Sequence, residues 1–438
     1  MFFNFRTVGK LALAIAFAYL ANAAPVPTNE TSELVQTYKS VAYVPDWYQY
    51  EAHKFYPRML PVDQLSHVLY SFVKINRDGT LFYDKYAWTE QMLGGDSWGP
   101  AGVAAGGIGD LIKLKKQNRG LKTIPSIGGW VGTNEPGNNL SIAARSEAGR
   151  RNFANSAVDL VKNYGFDGID IDWEYPRNQE QAHSYVLLLK EVRAALDQYA
   201  GKYAKGYHFQ LTIACSASPE VIHRMHIKEM DQYLDAWHLM AYDFAASGWS
   251  DFTGHGSNLY PAKDEHTTPF STDKAVHDYS ELGVAPKKIV LGMPIYGRSF
   301  ENTEGLGRPN PAHVSEEIEY KSLPKPGLEE HFDRELVATY TYDPATKQLV
   351  TYQGKEETRV KMQYIRDMGL GGAMWWQAAQ DKEGDESLIK TGYEGLKKLD
   401  HTKNLLNYTE SQFSNIKNAL QDFDQGRVAA VMRLFRLM

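Results

Sequence analysis

Short apolar runs alternate with amphipathic helical segments along the chain, and this alternation predicts an α/β fold built on a parallel (β/α)8 TIM barrel. Runs such as HVLYSF (67–72) and LKTIPSI (121–127) have the length and residue types of buried strands. Segments such as 146–165 and 182–200 carry apolar residues at helical spacing. The eight predicted strands are 40–45, 67–72, 121–127, 166–174, 209–215, 236–242, 288–296 and 371–376.

One interval breaks this alternation, because the segment between the seventh and eighth predicted strands is far longer than one crossover helix requires. Inside it, ELVATYTYDPATKQLVTYQ (335–353) alternates aromatic and polar residues on both sides of Asp343-Pro344, which predicts a β-hairpin. We therefore expect a small α+β insertion that forms a wall over one face of the barrel. The predicted parts of the chain are a signal peptide (1–23), the barrel (24–298 and 356–400), the insertion (299–355) and a C-terminal extension (401–438).

Both ends of the chain carry a distinct pattern. Arg6 and Lys10 precede the apolar run LALAIAFAYL (11–20), and Ala-Asn-Ala at 21–23 supplies the small residues of a signal-peptide cleavage site. Because the apolar run is too short to span a bilayer comfortably, an uncleaved membrane anchor is the less favoured alternative. We therefore expect a secreted, extracellular protein with no membrane attachment after cleavage. The tail RVAAVMRLFRLM (427–438) predicts a short, loosely packed amphipathic helix, with contact to a membrane surface as the alternative.

The composition is that of an ordinary globular enzyme, with 438 residues, 43% hydrophobic and 23% charged. The net charge of −6 argues against a general nucleic-acid binder, and we expect a monomer. A single cysteine, Cys215, excludes an internal disulfide, so stability must come from a large core. Sequons at Asn29, Asn139 and Asn407 are consistent with glycosylation on a secretory route.

The segment FDGIDIDWEYP (166–176) carries the most informative pattern in the chain. Asp170, Asp172 and Glu174 alternate with apolar residues, so their carboxylates share one face of a strand at a spacing of roughly 6.6 Å. Stacked carboxylates cannot all ionise, so one keeps a proton near neutral pH, which favours acid catalysis. A solvated acidic edge strand is one alternative. A hard-metal site is another, although strand carboxylates do not wrap an ion as a loop does.

The same segment fills every fixed position of the signature DGxDxDxE, and the chain closely resembles glycoside hydrolase family 18, the chitinases and their relatives. The resemblance covers about residues 39–399 and is greatest to fungal-type endochitinases with an α+β insertion. It implies retaining hydrolysis of chitin or chito-oligosaccharides, in which the 2-acetamido oxygen of the substrate attacks the anomeric carbon to give an oxazolinium ion. Such a reaction implies neither a metal nor a cofactor. The fixed positions are Asp167, Gly168, Asp170, Asp172 and Glu174.

The resemblance also implies a role for each residue of the catalytic set. Glu174 is expected to act as the general acid and then as the base that activates water. Asp172 is expected to bind the acetamido N–H and to stabilise the oxazolinium charge, while Asp170 shares a proton with Asp172. Tyr242, in the run MAYD (240–243), is expected to donate its hydroxyl to the acetamido carbonyl.

Further substrate-binding residues follow from the same resemblance. The run SIGGW (126–130) matches the family's SxGG, whose glycines allow a sharp turn beside the acidic strand. Trp130 is expected to stack on a sugar, and Trp376 to form the floor of the subsite at the point of cleavage. Four other residues complete the predicted site: Ser126 and Tyr43 as supports of Asp170, Asp243 as a sugar contact, and Arg298 as a partner of substrate or Asp243; Gly129 is included from the SxGG turn.

Two other functions of the same fold remain as alternatives. An endo-β-N-acetylglucosaminidase that cuts the core of N-glycans is disfavoured, because that branch generally lacks the insertion. A chitin-binding lectin is disfavoured, because such lectins typically lose the glutamate found here as Glu174. In the insertion, PAHVSEEIEYKSLP (311–324) has Val314 and Ile318 where fungal enzymes commonly carry Trp and Glu, so weaker substrate contacts are expected from that wall.

Overall fold

The computed structural model describes residues 36–91, 99–134, 138–312, 314 and 316–437, with side chains up to residue 428 in the last helix. The predicted signal peptide and the sequon at Asn29 lie outside these residues. Among the helices described, none combines the length and the apolar character that a membrane span requires. The strands are β1 (Lys39–Pro45), β2 (His67–Ile75), β3 (Leu81–Phe82), β4 (Lys122–Gly128), β5 (Gly168–Asp172), β6 (Gln210–Ser216), β7 (Ala236–Met240), β8 (Ile289–Pro294), β9 (Tyr296–Phe300), β10 (Glu317–Glu319), β11 (His331–Asp333), β12 (Ala338–Asp343), β13 (Gln348–Tyr352) and β14 (Gly372–Trp376).

Parallel strands close into a barrel, which confirms the predicted fold class. Their order is β1-β14-β8-β7-β6-β5-β4-β2, and β1 also pairs with β2, so the sheet has no free edge within this set. In register, Asp170 of β5 lies between Ser126 of β4 and Thr212 of β6. Because side chains alternate along a strand, these polar residues point into the barrel while Ile169 and Ile171 are buried under the helices.

Helices cover the outside of the barrel, as expected for βα units. Polar caps define several of them: Ser146 and Asn178 each accept a backbone N–H at a helix start, and the helix begun after Ser146 ends at Gly165 in the left-handed conformation. The helices are α1 (Gly106–Gln117), α2 (Gly129–Asn134), α3 (Asn139–Arg145), α4 (Glu147–Tyr164), α5 (Gln179–Tyr203), α6 (Pro219–Arg224), α7 (Ile227–Asp231), α8 (Thr272–Glu281), α9 (Lys355–Asp367), α10 (Leu388–Leu396), α11 (Ser414–Lys417) and α12 (Ala419–Leu437).

The insertion between β8 and β14 is an antiparallel sheet with the order β10-β9-β13-β12-β11. The hairpin predicted at 335–353 is present as β12 and β13, which meet where Asp343 pairs with Gln348. Strand β9 begins at Tyr296, before the predicted boundary at residue 299, because it pairs with β10 and β13 rather than continuing the barrel. A short 3₁₀ turn, Tyr320–Ser322, supplies helical structure inside the insertion.

The first part of the C-terminal extension packs tightly on the barrel. Tyr408 is fully buried, and its hydroxyl donates to the Phe166 carbonyl over 2.9 Å. Next to it, the Lys115 ammonium lies 2.8 Å from the Asp167 carboxylate, which also accepts the Leu405 N–H. Asp167, a fixed position of the acidic signature, is therefore a structural anchor at the amino end of β5, away from the carboxyl face. The final helix, α12, begins well before the predicted residue 427.

Two smaller sequence features can be placed as well. Cys215 is a free cysteine buried in β6. Asn139 begins α3, and its side-chain amide donates to the Ile75 carbonyl over 2.8 Å, whereas Asn407 is exposed. Glycosylation at either asparagine stays a prediction.

Candidate active site

A column of carboxylates runs from the barrel interior to its carboxyl face. Asp170 is completely buried, Asp172 ends β5 with 4% of its surface exposed, and Glu174 follows the strand as a half-buried residue. The alternation of strand side chains places Asp170 and Asp172 on the inward face, and Glu174 lies two residues beyond the end of β5. The active face of a parallel barrel is its carboxyl end, so Glu174 stands nearest to a substrate.

Asp170 accepts hydrogen bonds on both of its oxygens. Ser126 and Tyr43 donate to Oδ2 over 2.7 and 3.0 Å, and Thr212 donates to Oδ1 over 2.6 Å. Nδ1 of His238, on β7, lies 3.2 Å from Oδ1. Burial by itself raises the pKa of Asp170, but His238 and the hydroxyl donors outweigh it, so the pKa is lowered from its ordinary value. Asp170 is therefore the charged member of the column.

The pKa values of Asp172 and Glu174 are raised, in contrast to the lowered pKa of Asp170. Burial, followed by the charges of Glu174 and Asp170, raises the pKa of Asp172 well above its usual range. Oδ1 of Asp172 is buried without a hydrogen-bond partner among the described residues. Burial, with a smaller contribution from Asp243, raises the pKa of Glu174 to about 7. The proton sharing expected between Asp170 and Asp172 stays a prediction, since Asp170 accepts from other neighbours here.

The turn after β4 explains why glycine is required at two consecutive positions. Gly128 and Gly129 have φ angles of 114° and 78°, in the left-handed region that favours glycine. A Cβ on Gly128 would lie 2.3 Å from the Asp172 carbonyl oxygen, and one on Gly129 would lie 2.6 Å from the Phe72 ring. Gly129, predicted as a substrate-binding residue, thus lies directly against an aromatic ring of the face. In the following helix, α2, Thr133 accepts the Glu174 N–H over 2.9 Å.

Tyr242 follows the end of β7 and lies beside the acidic column. Burial and the negative charges of Asp172 and Glu174 raise the pKa of its hydroxyl well above the usual value, so the hydroxyl stays protonated and can donate. Its ring lies edge-on to Tyr296, with 6.3 Å between ring centroids. Asp172 and Tyr242 thus present a carboxyl group and a hydroxyl donor at the same face.

Aromatic rings form a continuous floor at this face. Trp376, at the end of β14, lies 5.3 Å from Tyr43 and stacks on Phe72 at 5.7 Å between ring centroids. Phe72 in turn stacks on Trp47 at 6.1 Å. Trp130, on α2, is 56% exposed and free to meet a ligand. Phe72 and Trp47 are absent from the predicted site residues. Phe72 lies within β2, and Trp47 lies two residues beyond the end of β1.

An ion-pair group connects β7 to the insertion. Arg298 makes two 2.9 Å hydrogen bonds to Asp243, as expected, and its Nη1 also lies 3.3 Å from Glu317 of β10. Val314 is 62% exposed, while Ile318 is buried in the insertion sheet. The polar contacts of this wall come instead from Glu317 and its neighbour on the same strand face, Glu319, which accepts from Tyr48 over 3.3 Å. The alternation EIE at 317–319 was the available signal for this pair.

Sequence reasoning also missed His238 and Thr212, which contact Asp170. Their signal lies in strand parity: His238 shares the inward face with Tyr242, and Thr212 pairs with Asp170 in register.

A closed parallel barrel with a buried acidic column and an aromatic floor at its carboxyl face is the architecture of a barrel glycoside hydrolase. The chain matches the model for glycosyl hydrolases family 18 over residues 39–381. It is 44% identical to Chitinase 1 of Aphanocladium album over 87% of this chain and 91% of that protein. It is 42% identical to Endochitinase 1 of Metarhizium robertsii over 95% of this chain and 98% of that protein.

Solved structures agree with this similarity. A chitinase from Bacillus thuringiensis superposes with a TM-score of 0.74 at 26% identity, covering 84% of this chain and 71% of that chain. A family 18 N-acetylglucosaminidase from Paenibacillus barengoltzii superposes with a TM-score of 0.68 at 27% identity, covering 82% of this chain and 99% of that chain. This protein therefore belongs to glycosyl hydrolases family 18, which confirms the predicted family and the prediction of an enzyme.

Proposed function

We propose that this protein is a secreted endochitinase that hydrolyses β-1,4 linkages of chitin and chito-oligosaccharides with retention, through an oxazolinium intermediate. The observation that carries the proposal is the division of charge along the acidic column. Asp170 is held charged by its donors, while burial raises the pKa of both Asp172 and Glu174. The site therefore offers a proton at its outer end near neutral pH.

Glu174 is the residue that protonates the leaving oxygen. It is the outermost carboxyl group of the column and its pKa of about 7 suits an acid that later returns as a base. Its backbone is held by Thr133, whose hydroxyl accepts the Glu174 N–H. The acid is therefore positioned by α2 as well as by its own strand.

The nucleophile comes from the substrate, because neither neighbouring carboxyl group suits that role. Asp172 has a raised pKa and is buried, which disfavours the ionised form needed for attack. Asp243 accepts hydrogen bonds from Nε and Nη2 of Arg298. A 2-acetamido oxygen on the sugar supplies the missing nucleophile and restricts the substrate to N-acetylated sugars.

Asp172 and Tyr242 are suited to hold that acetamido group. The Tyr242 hydroxyl donates to its carbonyl, and the unpartnered Oδ1 of Asp172 accepts its N–H. The two contacts keep the acetamido oxygen pointed at the anomeric carbon, and such positioning is worth about 3 kcal/mol. Trp376 lies below as an apolar surface for the sugar ring.

Chitin as substrate is supported by the relatives named Chitinase 1 and Endochitinase 1, which this chain matches over nearly their whole length. The insertion sheet argues against an enzyme of the N-glycan type. The complete acidic column argues against a lectin.

The test is hydrolysis of chitohexaose by the purified mature protein, with product anomers followed by NMR. Early β-anomers and internal cleavage are expected from the native protein. Glu174→Gln should lower the rate by about a thousandfold or more, within the range known for a lost general acid. Glu180→Gln removes an exposed glutamate that pairs with Arg145 on the surface and serves as the control. Early α-anomers, or an active Glu174→Gln protein, would refute the mechanism.

Secretion has its own test. Expression of the full chain in a eukaryotic host, followed by N-terminal sequencing of protein from the medium, should give a chain that begins after residue 23. Retention of the whole protein in the cell would contradict this part of the proposal.

A further inference from the structure

We propose that His183, His226 and Glu229 form a surface site for a divalent transition-metal ion of the zinc type. Each residue offers one ligand atom, and these atoms all lie within 4.8 Å of one another. The site joins α5, which carries His183, to α7, which carries Glu229 and follows directly on His226. It lies outside the acidic column and takes no part in the proposed hydrolysis.

The backbone under the cluster is held firmly. Arg224 donates from its guanidinium to the Pro176 carbonyl over 3.0 Å, just before the start of α5. Gln179, in the first turn of α5, donates its amide N–H to the Arg224 carbonyl over 3.2 Å. The segment between α6 and α7 is therefore tied to the start of α5, which keeps the two sides of the cluster together.

The side-chain amide of Gln179 determines which ring nitrogen of His226 carries a hydrogen. Because the Gln179 nitrogen donates to the Arg224 carbonyl, its oxygen faces Nε2 of His226 at 2.9 Å and must accept a hydrogen there. Nδ1 of His226 is then the nitrogen left to face Glu229, whose Oε1 lies 3.0 Å away. In this tautomer the lone pair of Nδ1 is directed to the side of Glu229, where a metal ion could bind both atoms. A hydrogen bond from the second nitrogen is also how proteins orient metal-binding histidines.

The ligand set selects the kind of ion. Two imidazoles and one carboxylate are a zinc ligand set, with a fourth position left for water. Calcium and magnesium prefer oxygen ligands and are disfavoured by two imidazoles. His183 and Glu229 are exposed, so an ion can enter from solvent.

Small side-chain movements bring the cluster to zinc geometry. Ligand atoms about 2.05 Å from a tetrahedral zinc ion lie roughly 3.3 Å apart, close to the 3.0 Å between His226 Nδ1 and Glu229 Oε1. The rings of His183 and His226 have centroids 5.9 Å apart, whereas two imidazoles on one zinc ion lie roughly 5 Å apart. Because the ligand atoms lie within 4.8 Å of one another, rotation of the exposed His183 side chain must close a gap of up to about 1.5 Å.

Zinc should therefore bind the folded chain and raise its melting temperature, because an ion that binds only the folded state stabilises it.

The experiment uses the full chain after treatment with chelator, titrated with zinc chloride by isothermal calorimetry and followed by thermal melting. One equivalent should bind, and His226→Ala or His183→Ala should each weaken binding by at least about tenfold. His53→Ala, an exposed histidine on another loop, is the matched control and should bind as the native chain does. Magnesium chloride should leave the melting temperature unchanged.

Glu174→Gln distinguishes this site from the acidic column and should retain the same zinc affinity. Melting of each variant in chelator checks that the substitution leaves the fold intact. Zinc binding that survives the double variant His183→Ala with His226→Ala, or a native chain that binds zinc no better than this double variant, would overturn the proposal.

Discussion

Raising the pH should lower the activity of this enzyme because the carboxyl group of Glu174 loses its proton. Burial is the main cause of its raised pKa, which lies at about 7 instead of the ordinary value of 4.5. As the pH rises through 7, Glu174 loses the proton that the leaving oxygen needs. The rate constant kcat/KM should therefore be nearly constant below about pH 6, reach about half of that value near pH 7 and fall about tenfold per pH unit above it.

The magnitude follows from the protonated fraction of Glu174. With a pKa of about 7, roughly one tenth of the molecules carry the proton at pH 8 and roughly one hundredth at pH 9. An unburied glutamate, with its pKa of 4.5, would fall to the same protonated fractions more than two pH units lower. The alkaline limb of the profile thus measures how strongly the site is shielded from water.

The assay is kcat/KM for a soluble chito-oligosaccharide measured from pH 5 to 9 at constant ionic strength. Circular dichroism at each pH checks that the fold is unchanged. A limb centred near pH 5, with the fold intact, would show that burial does not control Glu174. A flat profile to pH 9 would show that another group supplies the proton.

Other predictions concern residues around the site and in the core. His238→Asn removes the imidazole whose Nδ1 lies 3.2 Å from Asp170, so the pKa of Asp170 should rise and kcat should fall by about tenfold or more with KM nearly unchanged. Equal kcat values for the two proteins in steady-state kinetics would contradict this. Gly129→Ala should destabilise the fold by about 1–3 kcal/mol, because its Cβ meets Phe72 at a positive φ; a thermal melt equal to that of the native protein would refute the strain. Burial lowers the pKa of His255 to about 4, so unfolding takes up a proton between about pH 6.5 and 4. Stability should therefore fall as the pH falls through that range, by up to about 3 kcal/mol. Urea unfolding of His255→Phe should show a shallower loss, and equal pH slopes would rule out this residue as the cause.

Much of the fold could be predicted from the sequence because its signals are local. Apolar runs and helical periodicity identify the barrel strands and their crossovers, and the hairpin in the insertion follows from aromatic alternation around Asp343-Pro344. The strand predicted at 166–174 is shorter in the structure, Gly168–Asp172, because the chain leaves the sheet before Glu174. The shared face of Asp170 and Asp172 needed only the two-residue period of a strand.

Local patterns in the amino-acid sequence were therefore enough to predict the barrel, the insertion, the acidic segment and the family to which the enzyme belongs. They did not predict which side chains surround the acidic column, because that depends on the folded chain. His238 reaches Asp170 from another strand, Phe72 and Trp47 extend the aromatic floor, and Glu317 completes the ion-pair group from the insertion. These contacts join residues far apart in the chain, and they depend on strand register and barrel closure, which local periodicity does not encode.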